Sequence, residues 1–157
     1  MVSIVEVGPG DDLEEARTIF QEYADTLGSD VCLQNFAEEL ATLPGGYSRP
    51  SGRLLLAMVE DQVAGCAALR ALDAETAEMK RVYVRPAFRG LGVGRILAES
   101  ILHESRTAGY RRIRLDTLPS MVRAQQLYRE LGFYEIAPYG EKAEPGTVYL
   151  ELELVTP

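Results

Sequence analysis

Hydrophobic and polar positions along the chain follow two patterns, and the first of them predicts strands. Seven short segments are either continuously apolar or alternate between apolar and polar residues, as strands do. They cover residues 3–7, 53–59, 63–70, 78–84, 112–117, 133–136 and 147–154. The turn residues Glu60, Asp61 and Gln62 join the second and third of these segments, which predicts a hairpin. The small side chains of segment 63–70 favour close packing against its face.

The second pattern, apolar residues at helical spacing, predicts four helices. They are expected to run from Asp11 or Asp12 to Gly28, across 33–43, from 94 to 108 before Gly109, and from a capping Ser120 to Gly132. The resulting order, β-α-α-β-β-β-α-β-α-β-β, predicts an α/β (α+β) fold with one mixed sheet covered by helices. The strand–helix–strand unit around the third helix predicts one parallel strand pair.

Length and composition indicate a single domain over residues 1–157, because 46% hydrophobic and 25% charged residues are ordinary for a globular protein of this size. No apolar run approaches the roughly 20 residues that a membrane-spanning helix needs, and no signal peptide is visible. Cys32 and Cys66 lie in different predicted elements and do not form a metal-binding spacing. A reducing, cytoplasmic location is therefore expected, with no membrane partner and no metal.

The charge balance also narrows the choice of partners. The formal net charge is −8, which disfavours nucleic-acid binding. It mildly favours a cationic substrate such as an amine, although solubility alone explains it equally well. Many arginines lie in the second half of the chain, whereas the stretch up to Asp61 is more acidic. This asymmetry fits a basic cofactor site beside an acidic acceptor region.

The most informative segment is the glycine-rich loop 89–95, Arg-Gly-Leu-Gly-Val-Gly-Arg, between the predicted strand 78–84 and the third helix. Glycines at the start of a helix let the backbone approach a ligand, and the free N–H groups there attract phosphate. Position 95 is arginine and no Gly-Lys-Ser/Thr follows, so neither the dinucleotide fingerprint nor the P-loop is present. A merely structural role is disfavoured, because each glycine weakens a helix interior by about 1 kcal/mol relative to alanine.

Two motifs in this half of the chain resemble those of the GCN5-related N-acetyltransferase (GNAT) family. Arg89, Gly92 and Gly94 give R-x-x-G-x-G, which is similar to the family's acetyl-CoA-binding motif. Residues 124–133 give A-x-x-L-Y-x-x-x-G-F, which resembles the segment that follows the cofactor loop. The resemblance spans Glu78 to Phe133, and the first seventy residues match only in element order.

The resemblance implies a single GNAT-like domain, with a mixed, mostly antiparallel sheet of about seven strands and helices on both faces. It implies acetyl transfer from acetyl-CoA directly to a primary amine of a small molecule, peptide or protein. A non-catalytic acetyl-CoA sensor or scaffold of the same fold is the alternative, and a homodimer is possible. The residues that the resemblance assigns to cofactor binding are Val82, Tyr83, Val84, Arg89, Gly90, Leu91, Gly92, Val93, Gly94, Arg95 and Tyr128.

The same resemblance indicates catalytic residues. Tyr128 is the expected general acid near the thioester sulfur, and its alternative is a core aromatic residue. Glu78 is the candidate base, and its alternative is a solvent-facing carboxylate at a strand edge. A water relay, or no dedicated base, is equally compatible with the family. Three other carboxylates are less favoured candidates: Asp73, Glu75 and Asp116.

Several remaining residues carry weaker expectations. The family often has an asparagine just before the A-x-x-L-Y segment, where Ser120 is the nearest polar candidate here. The single histidine, His103, lies within a predicted helix and has no catalytic partner near it in sequence. By family analogy, the acceptor pocket could be lined by Tyr23, Gln34, Phe36, Tyr47 and Tyr139.

Overall fold

The computed structural model describes residues 1–27, 36–140 and 145–154. Its seven strands are β1 Val2–Glu6, β2 Arg53–Val59, β3 Gln62–Ala71, β4 Thr76–Val84, β5 Arg112–Thr117, β6 Tyr134–Ile136 and β7 Val148–Glu153. Its α-helices are α1 Glu14–Thr26, α2 Phe36–Thr42, α3 Val93–Thr107 and α4 Val122–Glu130. Apart from two 3₁₀ turns, Gly45–Tyr47 and Pro86–Phe88, the element order is the predicted one.

The strands form one sheet in the order β1-β2-β3-β4-β5-β7-β6. Neighbouring strands are antiparallel, as the β2–β3 hairpin requires, except for the parallel pair β4–β5. The crossover between these two strands contains α3, because a parallel connection needs a long return. The predicted fold class and the parallel pair are both confirmed.

The parallel strands β4 and β5 separate soon after they meet. They pair only from Thr76 with Arg112 to Glu78 with Arg114, although β4 continues to Val84 and β5 to Thr117. A β-bulge lies in β4 beyond the last pair, where Arg81 has a φ of 59° and the register with β3 shifts. Bulges bend a strand locally. The result is a gap in the sheet between the second halves of β4 and β5.

Each face of the sheet has its own apolar core, because successive side chains of a strand point to opposite faces. Helices α3 and α4 cover one face, with a buried cluster that includes Leu55, Leu69, Met79, Leu97, Ile101, Ile113, Tyr128 and Leu150. Helix α1 covers the other face, with a cluster that includes Ile19, Phe20, Tyr47, Leu54, Leu56, Cys66 and Tyr83. The predicted helices on both faces are therefore confirmed.

Gly65 on β3 explains how closely α3 approaches the sheet. A Cβ atom at this position would lie 2.6 Å from the Tyr83 carbonyl oxygen and 3.0 Å from Leu97 Cδ1. The first distance, to the backbone of β4, is too short for any side chain, and the second would force Leu97 of α3 to move, so glycine lets both β4 and α3 lie close to this position. The close packing predicted for this strand is confirmed.

The glycines predicted to end α3 and α4 do so, but the predicted caps at the starts of α1 and α4 differ. Gly109 and Gly132 follow the ends of α3 and α4 with positive φ. The N-cap of α1 is Leu13, without a side-chain cap, rather than Asp11 or Asp12, although Asp12 Oδ1 accepts the Glu14 N–H at 3.0 Å. The predicted cap Ser120 is wrong, because α4 begins at Val122 without a capping side chain among the described residues. The Met121 N–H donates to the Leu118 carbonyl, so a turn precedes the helix and delays its start.

The predicted second helix is described only in part. Its residues 33–35, like Gly28 at the predicted end of the first helix, lie outside the described residues, and α2 begins at Phe36. In the three described ranges, no helix is long and apolar enough to cross a lipid bilayer.

Candidate active site

The glycine loop leads directly into the N-terminus of α3. Gly90 and Gly92 have φ values of 86° and 78°, a left-handed conformation that favours glycine. Gly92 is the N-cap, and no side chain in the described ranges caps the helix. The first helical hydrogen bond runs from the Ile96 N–H to the Gly92 carbonyl. The preceding N–H groups, with no acidic residue in the first turn, form an anion-binding helix start.

Gly94 differs from the other glycines of the loop because the fold itself does not require it. A Cβ atom here would lie 3.7 Å from Val84 Cγ2 and 3.9 Å from Leu127 Cδ2, which are ordinary contact distances. The absence of a side chain therefore leaves a shallow space between β4, α3 and α4. That space is suited to a ligand that lies directly against the backbone.

The two arginines of the loop have different surroundings. The Arg89 Nε atom donates to the Val84 carbonyl at 3.3 Å, in an exposed position next to the helix start. Arg95 forms an ion pair with Glu130 of α4 and lies 4.0 Å from Glu99. Arg89 is thus the more available charge for a bound anion, while Arg95 joins α3 to α4.

The edge of β4 beside the gap has backbone groups that are not paired with any strand of the described residues. The Arg85 N–H donates to the Ala64 carbonyl on β3 at 2.8 Å. Successive peptide groups of an extended strand point to opposite edges, so the Val84 N–H points towards β5, and Val82 lies on the same edge. Because β5 pairs with β4 only as far as Glu78, this edge is open to an added extended ligand.

Tyr128 lies at the gap, on the α3–α4 face of the sheet. It is 5% exposed, and its ring packs against Phe133 at a centroid distance of 5.7 Å. Burial, with a smaller effect from the hydroxyl of Tyr23, raises the pKa of Tyr128, so the hydroxyl carries its proton at neutral pH. Tyr23 belongs to α1 on the opposite face. The two hydroxyls can influence one another because the sheet is open between them.

The Tyr128 hydroxyl is also available for chemistry. It makes no hydrogen bond with the described residues, yet no fully enclosed polar side-chain atom in that part of the chain lacks a partner. The oxygen must therefore reach accessible space, although the ring is buried. The helix α4 thus places an unpaired, protonated hydroxyl at the gap.

The candidate base Glu78 is buried, with 4% of its surface exposed. Its Oε1 atom accepts from Arg70 Nε at 2.9 Å and lies 3.9 Å from Lys80 Nζ. Its Oε2 atom accepts from the Tyr139 hydroxyl at 2.9 Å. Both oxygens therefore already hold partners, one from β3 and one from the segment after β6.

The three other carboxylates named from the sequence lie in different places. Asp73 accepts the backbone N–H groups of Glu75 and Thr76 at 2.8 Å, which fixes the turn before β4. Glu75 is exposed and pairs with Arg111 at 3.3 Å. Only Asp116, on β5, lies beside the gap. Burial raises its pKa, Lys80 opposes that effect and Glu78 adds to it.

The residues expected to line an acceptor pocket fall into two groups. Tyr139 packs edge-on against Tyr149 at 5.2 Å and lies under the Arg114 guanidinium, and Tyr23 packs against Tyr83 at 5.9 Å. These tyrosines surround the gap on the α1 face. Tyr47 is instead a core residue, 5% exposed and packed against Phe20. Gln34 lies outside the described residues.

Arg81 is a feature of the site that the sequence does not reveal. Its guanidinium forms two hydrogen bonds with Glu39 of α2, at 2.9 and 2.8 Å, and lies over the Phe36 ring at 5.6 Å. Phe36 is thus held beside the β4 bulge. An arginine with positive φ inside a strand carries no sequence signal, so this attachment of α2 was not predictable.

Two remaining features are His103 and the arrangement of possible metal ligands. His103 is an exposed residue on the surface of α3. In the described ranges, no group of three or more His, Cys, Asp or Glu side chains is arranged to hold a metal ion.

Comparison with known proteins identifies the family. The model of the acetyltransferase (GNAT) family matches residues 13–133. An uncharacterized N-acetyltransferase of Schizosaccharomyces pombe is 37% identical over 155 residues, which cover 98% of this chain and 95% of that protein.

Solved structures share the fold. A GNAT-family acetyltransferase from Staphylococcus aureus superposes with a TM-score of 0.80 at 18% identity, covering 99% of this chain and 100% of that one. A Salmonella typhimurium chain whose structure contains acetyl-CoA, its cofactor, has a TM-score of 0.76 at 20% identity and covers 99% of this chain and 95% of that one. The family match and the shared fold together confirm the resemblance of the two motifs and the predicted enzyme class, N-acetyltransferase. The chain therefore belongs to the GNAT family of acetyltransferases.

Proposed function

We propose that this protein transfers the acetyl group of acetyl-CoA directly to a primary amine of a small molecule, a peptide or a protein. One observation carries the proposal: the anion-binding start of α3, the open edge of β4 and the unpaired Tyr128 hydroxyl lie in succession around one gap in the sheet. We call these features the donor side. The tyrosines and carboxylates around the gap on the α1 face form the acceptor side.

The donor side fits acetyl-CoA. The N–H groups at the start of α3 and the exposed Arg89 suit a pyrophosphate. The space beside Gly94 accepts a group close to the backbone. Backbone groups of Val82 and Val84 suit an extended amide-containing arm, which would add to β4 like a strand. The other proposed contacts, Tyr83, Gly90, Leu91, Gly92, Val93 and Arg95, belong to the same strand and loop.

The reaction requires little more than positioning and proton transfer. Acetyl-CoA supplies a thioester carbon that a neutral amine can attack. Holding the amine at the gap, opposite the donor side, supplies the favourable geometry. Tyr128, which burial keeps protonated, donates its proton to the sulfur as the thiol leaves. On the acceptor side, the proton of the ammonium passes to a carboxylate, for which Glu78 and Asp116 are the two candidates beside the gap.

Thermal unfolding tests the donor first. Acetyl-CoA and coenzyme A should each raise the Tm, whereas ATP and NADH should not. A ligand at about 100 times its Kd adds roughly 2.7 kcal/mol to the free energy of unfolding. The Arg89→Ala variant should show a smaller shift, and Arg111→Ala, an equal loss of charge at an exposed position paired with Glu75, should behave as wild type.

Thiol release then tests the transfer. The assay uses a panel of amino acids, aliphatic diamines, arylalkylamines and a peptide with a free N-terminus and a lysine. Amine-dependent release of coenzyme A supports the enzyme, and mass spectrometry of the acetylated product identifies the acceptor. Binding of acetyl-CoA without amine-dependent release would instead favour the non-catalytic sensor or scaffold. A cytoplasmic location and a homodimer stay predictions, which cell fractionation and light scattering can check.

A further inference from the structure

The acceptor side of the gap contains two carboxylates whose surroundings differ sharply. Glu78 on β4 is level with Arg114 on β5 in the last paired position of the two strands. Lys80 and Asp116 lie two residues further along β4 and β5, on the same face. They therefore flank the gap where the strands separate, whereas Glu78 lies at its closed end.

Glu78 is already engaged as a structural anion. Arg70 and Tyr139 each donate to one of its oxygens at 2.9 Å, and the residue is 4% exposed. Accepting a proton from a substrate would break one of these hydrogen bonds and leave the Arg70–Glu78 pair without its anion. A buried carboxylate with both oxygens occupied is suited to holding its partners rather than to exchanging protons.

The Asp116 carboxylate accepts no comparable hydrogen bonds from the described residues. The side chain reaches the surface at the rim of the gap, although the surrounding protein shields it partly from water, and it makes no hydrogen bond and no ion pair with any residue of the described ranges. The charged and titratable groups that face it come from every neighbouring element: Lys80, Glu78 and Arg81 on β4, Arg70 on β3, Tyr23 on α1, Tyr149 on β7, and Tyr139 after β6. The site therefore offers one carboxylate that a substrate ammonium can approach directly.

Asp116 also lies within electrostatic reach of the donor side. Burial raises the pKa of both Tyr23 and Tyr128, and the smaller contributions to these shifts come from Asp116 for Tyr23 and from Tyr23 for Tyr128. A group on the acceptor face and the expected acid on the donor face thus lie on opposite sides of the same opening. That is the placement that amine attack and thiol departure require.

We propose that Asp116 is the general base that takes the proton from the acceptor ammonium, and that Glu78 is a positioning residue that holds Tyr139 and Arg70. This inference rests on the proposed acetyl transfer. The ammonium gives one proton to the Asp116 carboxylate, and the nitrogen lone pair forms the N–C bond to the acetyl carbon. The C–S bond breaks, its electron pair stays on sulfur, and sulfur takes the proton of Tyr128. The nitrogen of the new N–C bond then loses its second proton, which solvent relays to the Tyr128 phenolate, and solvent also removes the proton from Asp116.

The electrostatic setting suits this role. Burial and the nearby Glu78 raise the pKa of Asp116, although Lys80 opposes them. A raised pKa makes the carboxylate a stronger base and brings it closer to that of the amine it serves. Burial lowers the pKa of Lys80, which makes its amine easier to deprotonate and lessens its competition with the substrate for Asp116.

The test compares Asp116→Asn with Glu78→Gln in the full-length protein. The probes are the panel amine that wild type acetylates fastest, and methoxyamine, a weakly basic amine that is neutral at neutral pH and needs no base. Asp116→Asn should lower kcat/KM for the amine by about 100-fold or more. It should move the acidic limb of the pH profile up to the pKa of the amine itself and leave the acetyl-CoA Kd and the Tm unchanged, with a much smaller loss for methoxyamine. Asp116→Glu should restore part of the rate.

Glu78→Gln should instead retain the acidic limb, raise the KM for the amine and lower the Tm. The inference is overturned if Asp116→Asn retains the rate or leaves the acidic limb where it is in wild type, or if Glu78→Gln moves the limb to the pKa of the amine. The Kd for acetyl-CoA is measured without an amine, so a loss of cofactor binding can be distinguished from a loss of amine deprotonation. Failure of wild type to bind acetyl-CoA or to acetylate any amine would overturn the proposed function, and this inference with it.

Discussion

The donor and acceptor sides of the gap are constructed in different ways. The donor side depends on backbone geometry within one stretch of chain: two glycines with positive φ, an uncapped helix start and an unpaired strand edge. The acceptor side depends on side-chain pairs between distant residues, such as Arg81 with Glu39 and Tyr139 with Glu78, which are 42 and 61 positions apart.

Under the proposed function, this difference would let the fold keep its cofactor contacts while its substrate contacts change. Backbone groups bind a constant ligand irrespective of most side chains around them. Side-chain pairs, in contrast, change with single substitutions and can reshape a pocket without disturbing the sheet. Variants on one side should therefore leave the other side intact, and Tyr128→Phe, Gly94→Ala and Glu39→Gln test that separation.

The largest effect is expected from Tyr128→Phe, which removes only the hydroxyl. Loss of the proton donor should lower kcat by about 100-fold or more. The Tm and the acetyl-CoA Kd should not change, because the hydroxyl has no hydrogen bond to a described residue. Steady-state kinetics and calorimetry check both statements. In the control, Tyr110→Phe, loss of the bond to the Ser51 carbonyl at 2.6 Å should reduce stability by about 1 kcal/mol without affecting kcat.

Gly94→Ala should separate cofactor binding from folding. The fold accommodates the added Cβ at contact distances of 3.7 and 3.9 Å, and alanine favours a helix, so the Tm should not fall. Filling the space beside the bound donor should weaken acetyl-CoA binding about tenfold, which is roughly 1.4 kcal/mol. The control is Gly109→Ala, at a φ of 92° beyond the other end of α3. It should lower the Tm and leave acetyl-CoA binding unchanged. Unchanged binding in Gly94→Ala would place the donor elsewhere.

Glu39→Gln should act on the acceptor side alone. The change weakens the two hydrogen bonds from the nearly buried Arg81 and loosens the attachment of α2. The amine KM is expected to rise a few-fold while the acetyl-CoA Kd stays constant, with a stability loss of about 1–3 kcal/mol. The matched control is Glu14→Gln, which removes the same charge from an exposed pair with Arg17 and should leave the amine KM and the stability close to those of wild type. A shift of the acetyl-CoA Kd in Glu39→Gln would show that the two sides are coupled.

The smallest effect concerns pH and stability rather than turnover. Burial alone would raise the pKa of Glu151, but hydrogen bonds from Tyr134 and Arg114 lower it overall. The ionised group therefore stabilises the fold above the unfolded-state pKa of about 4.3, and this contribution is lost as the pH falls through the folded-state value. At neutral pH, Glu151→Gln should reduce stability by about 1 kcal/mol.

Thermal unfolding of wild type and Glu151→Gln across the pH range measures this difference, which should close under acidic conditions. Glu135→Gln, at an exposed position 3.6 Å from Arg129, serves as the reference. A difference that persists in acid would assign the effect to packing rather than to charge.

Sequence patterns predicted most of the fold and the location of the donor side. The element order, the β2–β3 hairpin and the parallel pair follow from periodicity and turn residues, which act over a few neighbouring positions. Prediction failed at Ser120, because a turn between Leu118 and Met121 precedes α4 and no local signal distinguishes the two starts. The site residues themselves stay predictions for the experiments above to judge.

The sequence by itself thus determined where a glycine-rich helix start, a flanking strand and a tyrosine-bearing helix follow one another, because each depends on local backbone preferences. Only the tertiary structure decided how far β4 and β5 separate and which carboxylate is occupied. Glu78 meets Tyr139 and Arg70, and Asp116 meets no comparable partner among the described residues. Those outcomes depend on which distant side chains the folded chain brings within hydrogen-bonding distance, and no local pattern encodes that distance.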